Sequence, residues 1–248
     1  NERVNIILKN KKINCLPLIN KNRKLVNVYL PNVRSEIHFI NSEMLIMAGG
    51  KGTRLRPLTY KTPKPLLIVN GRSIIEQIIS IAKKQGINKF HISIHYLGHK
   101  IKKFLGDGSK YGVKINYLEE KKPFGTAGSI KLLKNFNKPI IVSNADVISN
   151  INFYEMLKYH NKHKSLITVS AKIFDEKNNY GRIILKGNRI SKIIEKPKNK
   201  FIINAGIYII SPRIKKYLKS KNYFDMTDLI DVAIKTNDKI HVFPLHEN

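Results

Sequence analysis

The chain has 248 residues, enough for one large α/β domain or for one domain with a small appendage. Its hydrophobic fraction of 42% is ordinary for a globular core, and no apolar run reaches the length of about eighteen residues that a membrane helix needs. The single cysteine, Cys15, excludes an internal disulfide, and the start at Asn1 shows neither a signal peptide nor an initiator Met. We therefore expect a cytoplasmic protein that has no membrane anchor and that is a fragment at its N-terminus.

The formal net charge of +29 suggests nucleic-acid binding, because Lys and Arg neutralise phosphates and release counterions. Nucleic-acid binders, however, concentrate their charge on one face, whereas the lysines here are spread over the whole chain among abundant Asn and Ile. The composition therefore favours a solvated basic surface over a nucleic-acid interface, which remains the alternative. Either surface attracts polyphosphate substrates.

The sequence pattern of the first 41 residues predicts a segment that is distinct from the rest of the chain. Apolar runs at 13–19 and 25–30 flank a polar turn, which predicts a β-hairpin. The segments Leu16-Pro-Leu-Ile19 and Lys24-Leu-Val-Asn-Val28 resemble the second half of a CBS domain, a small module that often senses adenine nucleotides. The resemblance implies a partial CBS-like segment and linker over residues 1–41, with regulatory modules upstream. A hairpin that extends the main sheet or pads a dimer is the alternative.

From about residue 43, strand and helix signals alternate along the chain. Short apolar runs predict strands at 44–47, 90–94, 113–117 and 139–142. Helical spacing before Gly86 predicts a helix with a buried face of Ile74, Ile75, Ile78, Ile79 and Ala82, and further helices follow at 101–105 and 129–133. This alternation predicts a mostly parallel sheet with helices on both faces. Short strands at 166–171, 181–185, 189–194 and 205–210 then predict a mixed extension of that sheet.

The sharpest motif is Met47-Ala-Gly-Gly-Lys-Gly-Thr-Arg-Leu-Arg-Pro57, directly after a strand. Its three glycines allow backbone N–H groups to approach a phosphate closely, and its Lys and two Arg side chains add positive charge. A tight strand exit with solvated basic residues is the alternative. The motif is not a Walker A loop, because Leu45 stands where the first Gly belongs, and not a dinucleotide fingerprint, because Leu55 replaces the third Gly.

Three consecutive blocks resemble the signature of the sugar-1-phosphate nucleotidylyltransferases, the family of glucose-1-phosphate thymidylyltransferases and mannose-1-phosphate guanylyltransferases. They are Ala48-Gly-Gly-Lys-Gly-Thr-Arg-Leu55, Pro57-Leu-Thr59 and Thr62-Pro-Lys-Pro-Leu-Leu67. Further blocks continue in the family's order to about residue 246: Gly106-Asp-Gly108, Gly112-Val113, Glu120, Gly125-Thr-Ala-Gly128, Asn144-Ala-Asp146, Glu195-Lys-Pro197 and Asn204-Ala-Gly206. The resemblance implies an α/β, Rossmann-like nucleotidyltransferase fold over residues 42–248, with a mixed, mostly parallel central sheet flanked by helices.

The resemblance also implies an activity: transfer of a nucleoside monophosphate from a triphosphate, GTP or dTTP, to a sugar 1-phosphate, with Mg²⁺ as cofactor. Arg54 would grip the triphosphate, Lys64 would steady the phosphates, and Asp146 would hold the metal. The implied nucleotide-binding residues are Gly49, Gly50, Gly52, Thr53, Glu120, Gly125 and Thr126, and the implied sugar-phosphate-binding residues are Gly181, Glu195, Lys196 and Asn204. The alternatives are an Asx-turn or helix cap at Asp146 and a surface ion pair at Glu195 and Lys196.

Two departures from the family pattern matter. Ala145 replaces a usual Gly and fits unless the position has a positive φ. The family carries a second metal-binding Asp in a Trp-x-Asp-x-Gly segment, which residues 242–248 approach without reaching. We therefore expect a domain truncated before that segment and poorly active as it stands. A regulatory family member that binds nucleotide-sugars without turnover is the alternative.

Three histidines complete the candidate sites. His91, His95 and His99 are spaced four apart, which on a helix would form a metal stripe, but Ile92-Ser-Ile94 is predicted as a strand and a zinc site is disfavoured. The sequence leaves open the base, the sugar and the oligomeric state, a homo-oligomer included.

Overall fold

The computed structural model describes residues 16–20, 25–29, 40, 42–133, 136–177, 180–196, 198–218 and 223–245. The chain divides into two compact units, Asn1–Phe39 and Ile40–Asn248. In the first unit, β1 (Leu16–Ile19) pairs antiparallel with β2 (Leu25–Tyr29), in agreement with the predicted hairpin. Residues 21–24 of the predicted turn lie outside the described residues.

A central sheet organises the second unit. Its strands are β3 (Met44–Met47), β6 (Lys89–Ile94), β7 (Lys114–Glu119), β8 (Ile140–Asn144), β9 (Ile167–Lys177), β12 (Lys198–Ile210) and β13 (Ile240–Leu245). Within the described residues, these seven strands lie in the order β13-β9-β12-β8-β3-β6-β7. Only β12 runs against its neighbours, so the described sheet is mixed and mostly parallel, as predicted.

The α-helices of the described chain are α1 (Ile74–Lys84), α2 (Gly98–Leu105), α3 (Phe153–Lys162) and α4 (Met226–Lys235). The start of α1 is fixed locally by a capping box, in which the Ser73 side chain accepts from the backbone N–H of Glu76 and the Glu76 carboxylate accepts from the backbone N–H of Ser73. The buried residues of α1 are those predicted from helical spacing. No helix among the described residues is long and apolar enough to cross a membrane.

Both faces of the sheet are buried at its central strands β3 and β8. Successive strand residues point to opposite faces, so Met44 and Ile46 enter one hydrophobic cluster while Leu45 enters the other. In the same way, Ile141 packs in the first cluster and Val142 in the second. Two covered faces explain why these strands read as continuous apolar runs.

Three elements differ from their predicted form or pairing. The predicted helix at 129–133 is a 3₁₀ helix, Gly128–Leu132, in which Leu133 donates its backbone N–H to the carbonyl of Ile130. Within the part of the chain that the structure describes, strands β10 (Arg182–Lys186) and β11 (Arg189–Ile194) pair only with each other, as a two-stranded hairpin. The prediction that all four late strands extend the main sheet is therefore right for β9 and β12 and wrong for β10 and β11. A smaller hairpin joins β4 (Ile68–Val69) to β5 (Arg72–Ser73).

Candidate active site

A cavity of about 500 Å³, here called the main cavity, opens where β3 and β8 end. The carboxyl ends of parallel strands are where open α/β sheets build ligand sites. All ten residues that the sequence predicts for catalysis or nucleotide binding line this cavity: Gly49, Gly50, Gly52, Thr53, Arg54, Lys64, Glu120, Gly125, Thr126 and Asp146. The structure thus brings together side chains and backbone from five separate blocks of the sequence.

The glycine-rich loop after β3 is held in place by side-chain hydrogen bonds. Thr59 is 1% exposed, and its hydroxyl donates to the carbonyl of Gly52 at 2.8 Å. The hydroxyl of Tyr96 in turn lies 3.1 Å from the carbonyl of Thr59. A short 3₁₀ turn, Thr53–Leu55, follows and leaves Arg54 exposed at the cavity wall. The backbone of the loop is therefore held by Thr59, while the exposed side chain of Arg54 can contact an anion in the cavity.

Lys64 and Asp146 meet across the main cavity. Their Nζ and Oδ2 atoms are 2.5 Å apart, and the two side chains are 33% and 37% exposed. Asp146 directly follows Ala145, whose backbone N–H donates to the carbonyl of Met47 and so ties the end of β8 to the end of β3. Ala145 does not adopt the positive φ that would favour glycine, so this departure from the family pattern has no structural cost.

The donor set at Asp146 fits a magnesium ion that arrives with a triphosphate. Mg²⁺ binds one or two protein carboxylates and completes its shell with substrate phosphates and water. Asp146 offers a partly exposed carboxylate beside an open cavity that also contains Arg54 and Lys64. Among the described residues, no group of three or more His, Cys, Asp or Glu side chains is close enough to hold a metal without a substrate.

Glu120 lies against the other side of the loop. A Cβ atom on Gly49 would stand 3.2 Å from a carboxylate oxygen of Glu120, so a larger residue at this position would require the Glu120 side chain to shift by a few tenths of an ångström. Burial raises the pKa of Glu120, and the backbone N–H of Phe124, which donates to its carboxylate at 3.3 Å, opposes that shift. The main cavity therefore contains a partly buried acceptor group in addition to the cationic side chains of Arg54 and Lys64.

The turn at Gly125 and Thr126 is fixed by a distant segment that sequence reasoning missed. Asp225 accepts hydrogen bonds from the backbone N–H of Thr126 at 3.0 Å and from its hydroxyl at 3.3 Å, and the Thr126 hydroxyl accepts from the N–H of Met226 at 2.8 Å. Asp225 also caps α4, and both it and Tyr223 line the main cavity. The only signal in the sequence is the spacing of Asp225 and Asp228 before an apolar run, which marks a helix start.

The residues predicted for the sugar phosphate are brought together only in part. A second cavity of about 290 Å³ is lined by Asn204 and borders the main cavity, because Asn144 and Asp146 line both. The Asn204 amide is held in place by the Tyr208 hydroxyl at 2.8 Å and by the N–H of Gly206 at 2.9 Å. The other three predicted residues, Gly181, Glu195 and Lys196, are exposed beside the β10–β11 hairpin and line neither cavity.

A mixed, mostly parallel sheet with a basic, glycine-lined cavity at its strand ends defines an α/β protein whose candidate ligand site lies at the carboxyl ends of its strands. The chain belongs to the nucleotidyl transferase family, whose model matches residues 43–244. That match begins after residues 1–41 and lends no support to the CBS-like segment predicted there.

Two curated relatives and one solved structure illustrate the similarity. A mannose-1-phosphate guanyltransferase from Saccharomyces cerevisiae is 38% identical over 188 residues, which are 71% of this chain and 52% of that protein. Mannose-1-phosphate guanylyltransferase 1 from Arabidopsis thaliana is 37% identical over 182 residues, 68% of this chain and 50% of that protein. The chain thus spans about half the length of these relatives. The crystal structure of HddC from Yersinia pseudotuberculosis shares the fold with a TM-score of 0.65 at 24% identity, over 82% of this chain and 90% of that one.

Proposed function

We propose that this chain forms the catalytic domain of a nucleotidyltransferase that joins the GMP moiety of GTP to a sugar 1-phosphate, giving a nucleotide-sugar and pyrophosphate. The observation that carries the proposal is the position of Asp146, which borders both cavities and is paired with Lys64. Two substrates bound in these cavities would meet at that carboxylate. The family membership and the activities named for the two curated relatives support the same reaction class.

The reaction needs cations more than it needs a base. The attacking group is an oxygen of the sugar 1-phosphate, which is already anionic near neutral pH because the second pKa of a phosphomonoester is about 6. It attacks the α-phosphorus of GTP, and pyrophosphate leaves. The obstacle is repulsion between two polyanions, so positioning and electrostatic stabilisation supply the catalysis. We assign Arg54 to the triphosphate, where its planar fork can hold two oxygens, and Lys64 to the phosphates during transfer.

Magnesium is the cofactor we propose, with Asp146 as its protein ligand. When bound, Mg²⁺ neutralises charge on the phosphates and orients them. In this role the carboxylate of Asp146 would exchange its contact with Lys64 for the metal, and Lys64 would then contact the substrate phosphates. The pair is therefore a resting arrangement that the two incoming charges replace.

The choice of guanine rests on Glu120. An ionised carboxylate only accepts hydrogen bonds, and the edge of guanine presents two adjacent donors, N1–H and N2–H₂, which one carboxylate can accept together. Thymine presents a single N–H between two carbonyl oxygens, which a carboxylate would repel. Glu120 lines the main cavity beside Gly49 and Thr126, so a base bound between these residues would face it.

The sugar phosphate would occupy the second cavity beside Asn204. We propose Gly181, Glu195 and Lys196 as further contacts, which reach the substrate only if the hairpin of β10 and β11 folds over the cavity mouth. Glu195 would accept sugar hydroxyls and Lys196 would meet the phosphate.

The test is a panel of GTP, dTTP, ATP, UTP and CTP, each combined with mannose 1-phosphate or glucose 1-phosphate, with pyrophosphate release as the readout. We expect slow release with GTP in the presence of Mg²⁺, in keeping with the poor activity expected from the sequence, and its loss when the metal is chelated. Release with dTTP in preference to GTP would overturn the assignment of Glu120 to guanine. Binding of GTP by calorimetry without pyrophosphate from any pair would instead favour the regulatory, non-catalytic family member.

A further inference from the structure

A third cavity, here called the basic cavity, has a volume of about 560 Å³ and lies away from the proposed catalytic residues. It forms between the end of α3, the loop after α4 and the start of β13. Its charged and aromatic wall consists of Lys162, His163, Lys164, Asp238, Lys239 and His241. The volume is within the range of about 300–1,000 Å³ that is typical of small-molecule sites.

The basic cavity and the main cavity lie at opposite ends of the strands of the sheet. Ile240, where β13 begins, pairs with Ile167 of β9, which pairs with Ile210 of β12, and Ile210 pairs with Ile140 at the start of β8. The main cavity lies instead at Asn144, where β8 ends. Along β8, Ile140 and Asn144 are four residues apart, which is about 13 Å at 3.3 Å per residue. A ligand of the basic cavity would therefore leave the catalytic cavity unobstructed.

The basic cavity carries uncompensated positive charge. Among the described residues, the ammonium groups of Lys162, Lys164 and Lys239 have no ion-pair or hydrogen-bond partner. The acid in the same wall, Asp238, is already neutralised, because its carboxylate lies 3.0 Å from Nζ of Lys216 and accepts from the hydroxyl of Tyr217. The C-termini of α3 and α4 each contribute about half a negative charge, which together is less than the three lysines supply.

The imidazole rings of His163 and His241 add hydrogen-bond donors to the positively charged wall of the basic cavity. The rings of His163 and His241 are 4.8 Å apart with an interplanar angle of 36°, and Tyr159 packs 4.4 Å from His163. Nδ1 of His241 is 2.8 Å from the Ser165 hydroxyl, so the ring is held in place, and its Nε2 has no partner among the described residues. Burial, with His163 and Lys239 nearby, lowers the pKa of His241, as expected beside excess positive charge.

We propose that the basic cavity is a second ligand site, separate from the catalytic one, for an anion that carries a phosphate group. Three ammonium groups and two imidazoles suit the several oxygens of a phosphate better than a single carboxylate, because each oxygen can accept more than one charge-assisted hydrogen bond. The phosphate can come from free inorganic phosphate or from a nucleotide. The rings of His163 and His241, whose centroids are 4.8 Å apart, would add an aromatic surface for the base of a nucleotide.

The experiment follows the side-chain imidazole signals of His163 and His241 by NMR while the protein is titrated with inorganic phosphate, and in a second arm with guanosine 5′-monophosphate. We expect saturable shifts of both histidines. A dissociation constant for the nucleotide at least about tenfold below that of inorganic phosphate would identify a nucleotide site, since a base contact adds to the charge-assisted ones. Equal constants would identify a phosphate site. Shifts that do not saturate, or none at all, would overturn the proposal.

A pair of charge reversals separates a built site from attraction by the net charge of +29. Lys164→Glu with Lys239→Glu should weaken inorganic phosphate at His163 and His241 by roughly tenfold or more, because two charge-assisted contacts are lost. Lys84→Glu with Lys103→Glu changes the net charge equally at exposed helix positions outside the cavity and should change the constant less than about twofold. Equal weakening in both variants would overturn the proposal. The titration of the unchanged protein remains decisive even if a variant folds poorly.

Discussion

Nζ of Lys64 lies 2.5 Å from Oδ2 of Asp146, although 82 positions separate the two residues in the sequence. Both side chains remain about one third exposed, so the contact is open to incoming ligands. An exposed ion pair of this kind contributes little to stability, about 0–1 kcal/mol. The proposed role of this ion pair lies in ligand binding rather than in stability. When the two side chains separate, the amine can bind a substrate phosphate and the carboxylate can bind a metal.

The two partners should therefore fail in different ways when substituted. Asp146→Asn removes the proposed metal ligand, and we expect the Mg²⁺ concentration for half-maximal rate to rise by at least about tenfold, since even indirect partners of a metal ligand change affinity by 10–100-fold. Lys64→Met should lower turnover without raising that Mg²⁺ requirement. Initial rates of pyrophosphate release over a Mg²⁺ titration measure both effects.

Asp231→Asn is the control for this pair, because it makes the same chemical change at an exposed position of α4 outside both cavities. Its Mg²⁺ requirement should match that of the unchanged protein. If Asp146→Asn matches it as well, Asp146 is not the metal ligand.

Arg54→Ala tests the cationic wall. Because the proposed contact of Arg54 with the triphosphate is strongest in the transition state, turnover should fall by roughly 10²–10³-fold, the range for removing one preorganised donor, while GTP binding weakens less. The neighbouring Arg56, whose guanidinium stacks 5.1 Å from the Tyr60 ring centroid, does not line the main cavity. Arg56→Ala should therefore remain within a few-fold of the parent, and a similar loss in both variants would refute the separate role of Arg54.

Much of the site follows from local sequence rules. The glycine loop follows directly after an apolar run, and parallel strands deliver their ends to one edge, so the loop and Asp146 could be predicted to meet. The helix α1 was equally readable, because its capping box and its apolar spacing are both local features.

The rest depends on contacts that no local pattern encodes. Asp225 fixes the turn at Thr126 from 99 positions away, and no sequence pattern near either residue predicts their hydrogen bond. Strands β10 and β11 were correctly predicted as strands, but their alternation is compatible with any partner, and they pair with each other. The 3₁₀ helix at residues 128–132 could not be predicted either, because over so short a segment the apolar spacing of a 3₁₀ helix resembles that of an α-helix.

Glu120→Gln tests the choice of base. An amide replaces one acceptor by a donor, so it would repel one of the two guanine N–H groups, and a lost charge-assisted bond is worth about 1.5–3 kcal/mol. We expect the KM for GTP to rise by roughly 10–100-fold. The KM for dTTP should fall, because the amide removes the repulsion between the carboxylate and the thymine carbonyl oxygens. Glu119→Gln, at the adjacent exposed residue that pairs with Lys102 at 2.6 Å, is the control and should leave both values unchanged.

The same carboxylate predicts how GTP binding depends on pH. Only ionised Glu120 accepts both guanine donors, and burial raises its pKa above the ordinary value of 4.5. As the pH falls, GTP affinity should therefore decline at a higher pH than an ordinary glutamate would produce. Calorimetric titration with GTP at several pH values measures this. A decline that persists unchanged in Glu120→Gln would assign it to another group.

A buried histidine gives the protein a separate sensitivity to acid. His160 is 1% exposed on α3. The Ser211 hydroxyl donates to the carbonyl of Ser165 at 2.7 Å, so its oxygen accepts from Nε2–H of His160 at 2.9 Å. Nδ1 of His160 then carries no proton and accepts from the hydroxyl of Thr168 at 2.8 Å. The network fits a neutral ring and would have to rearrange for a charged one.

We expect this ring to make the folded state less stable as the pH falls from 6.5 to about 4. Burial, with nearby Arg213 and His241, lowers the pKa of His160 from 6.5 to about 4. Between these values the unfolded chain binds the proton and the folded one does not, so stability is lost on acidification, by about 3 kcal/mol over the full shift at 1.36 kcal/mol per pH unit. Denaturant unfolding at pH 7, 5.5 and 4 measures it. His160→Gln should lose this part of the pH dependence, whereas His99→Gln, at an exposed histidine, should keep it; the same slope in all three proteins would exclude His160 as its source.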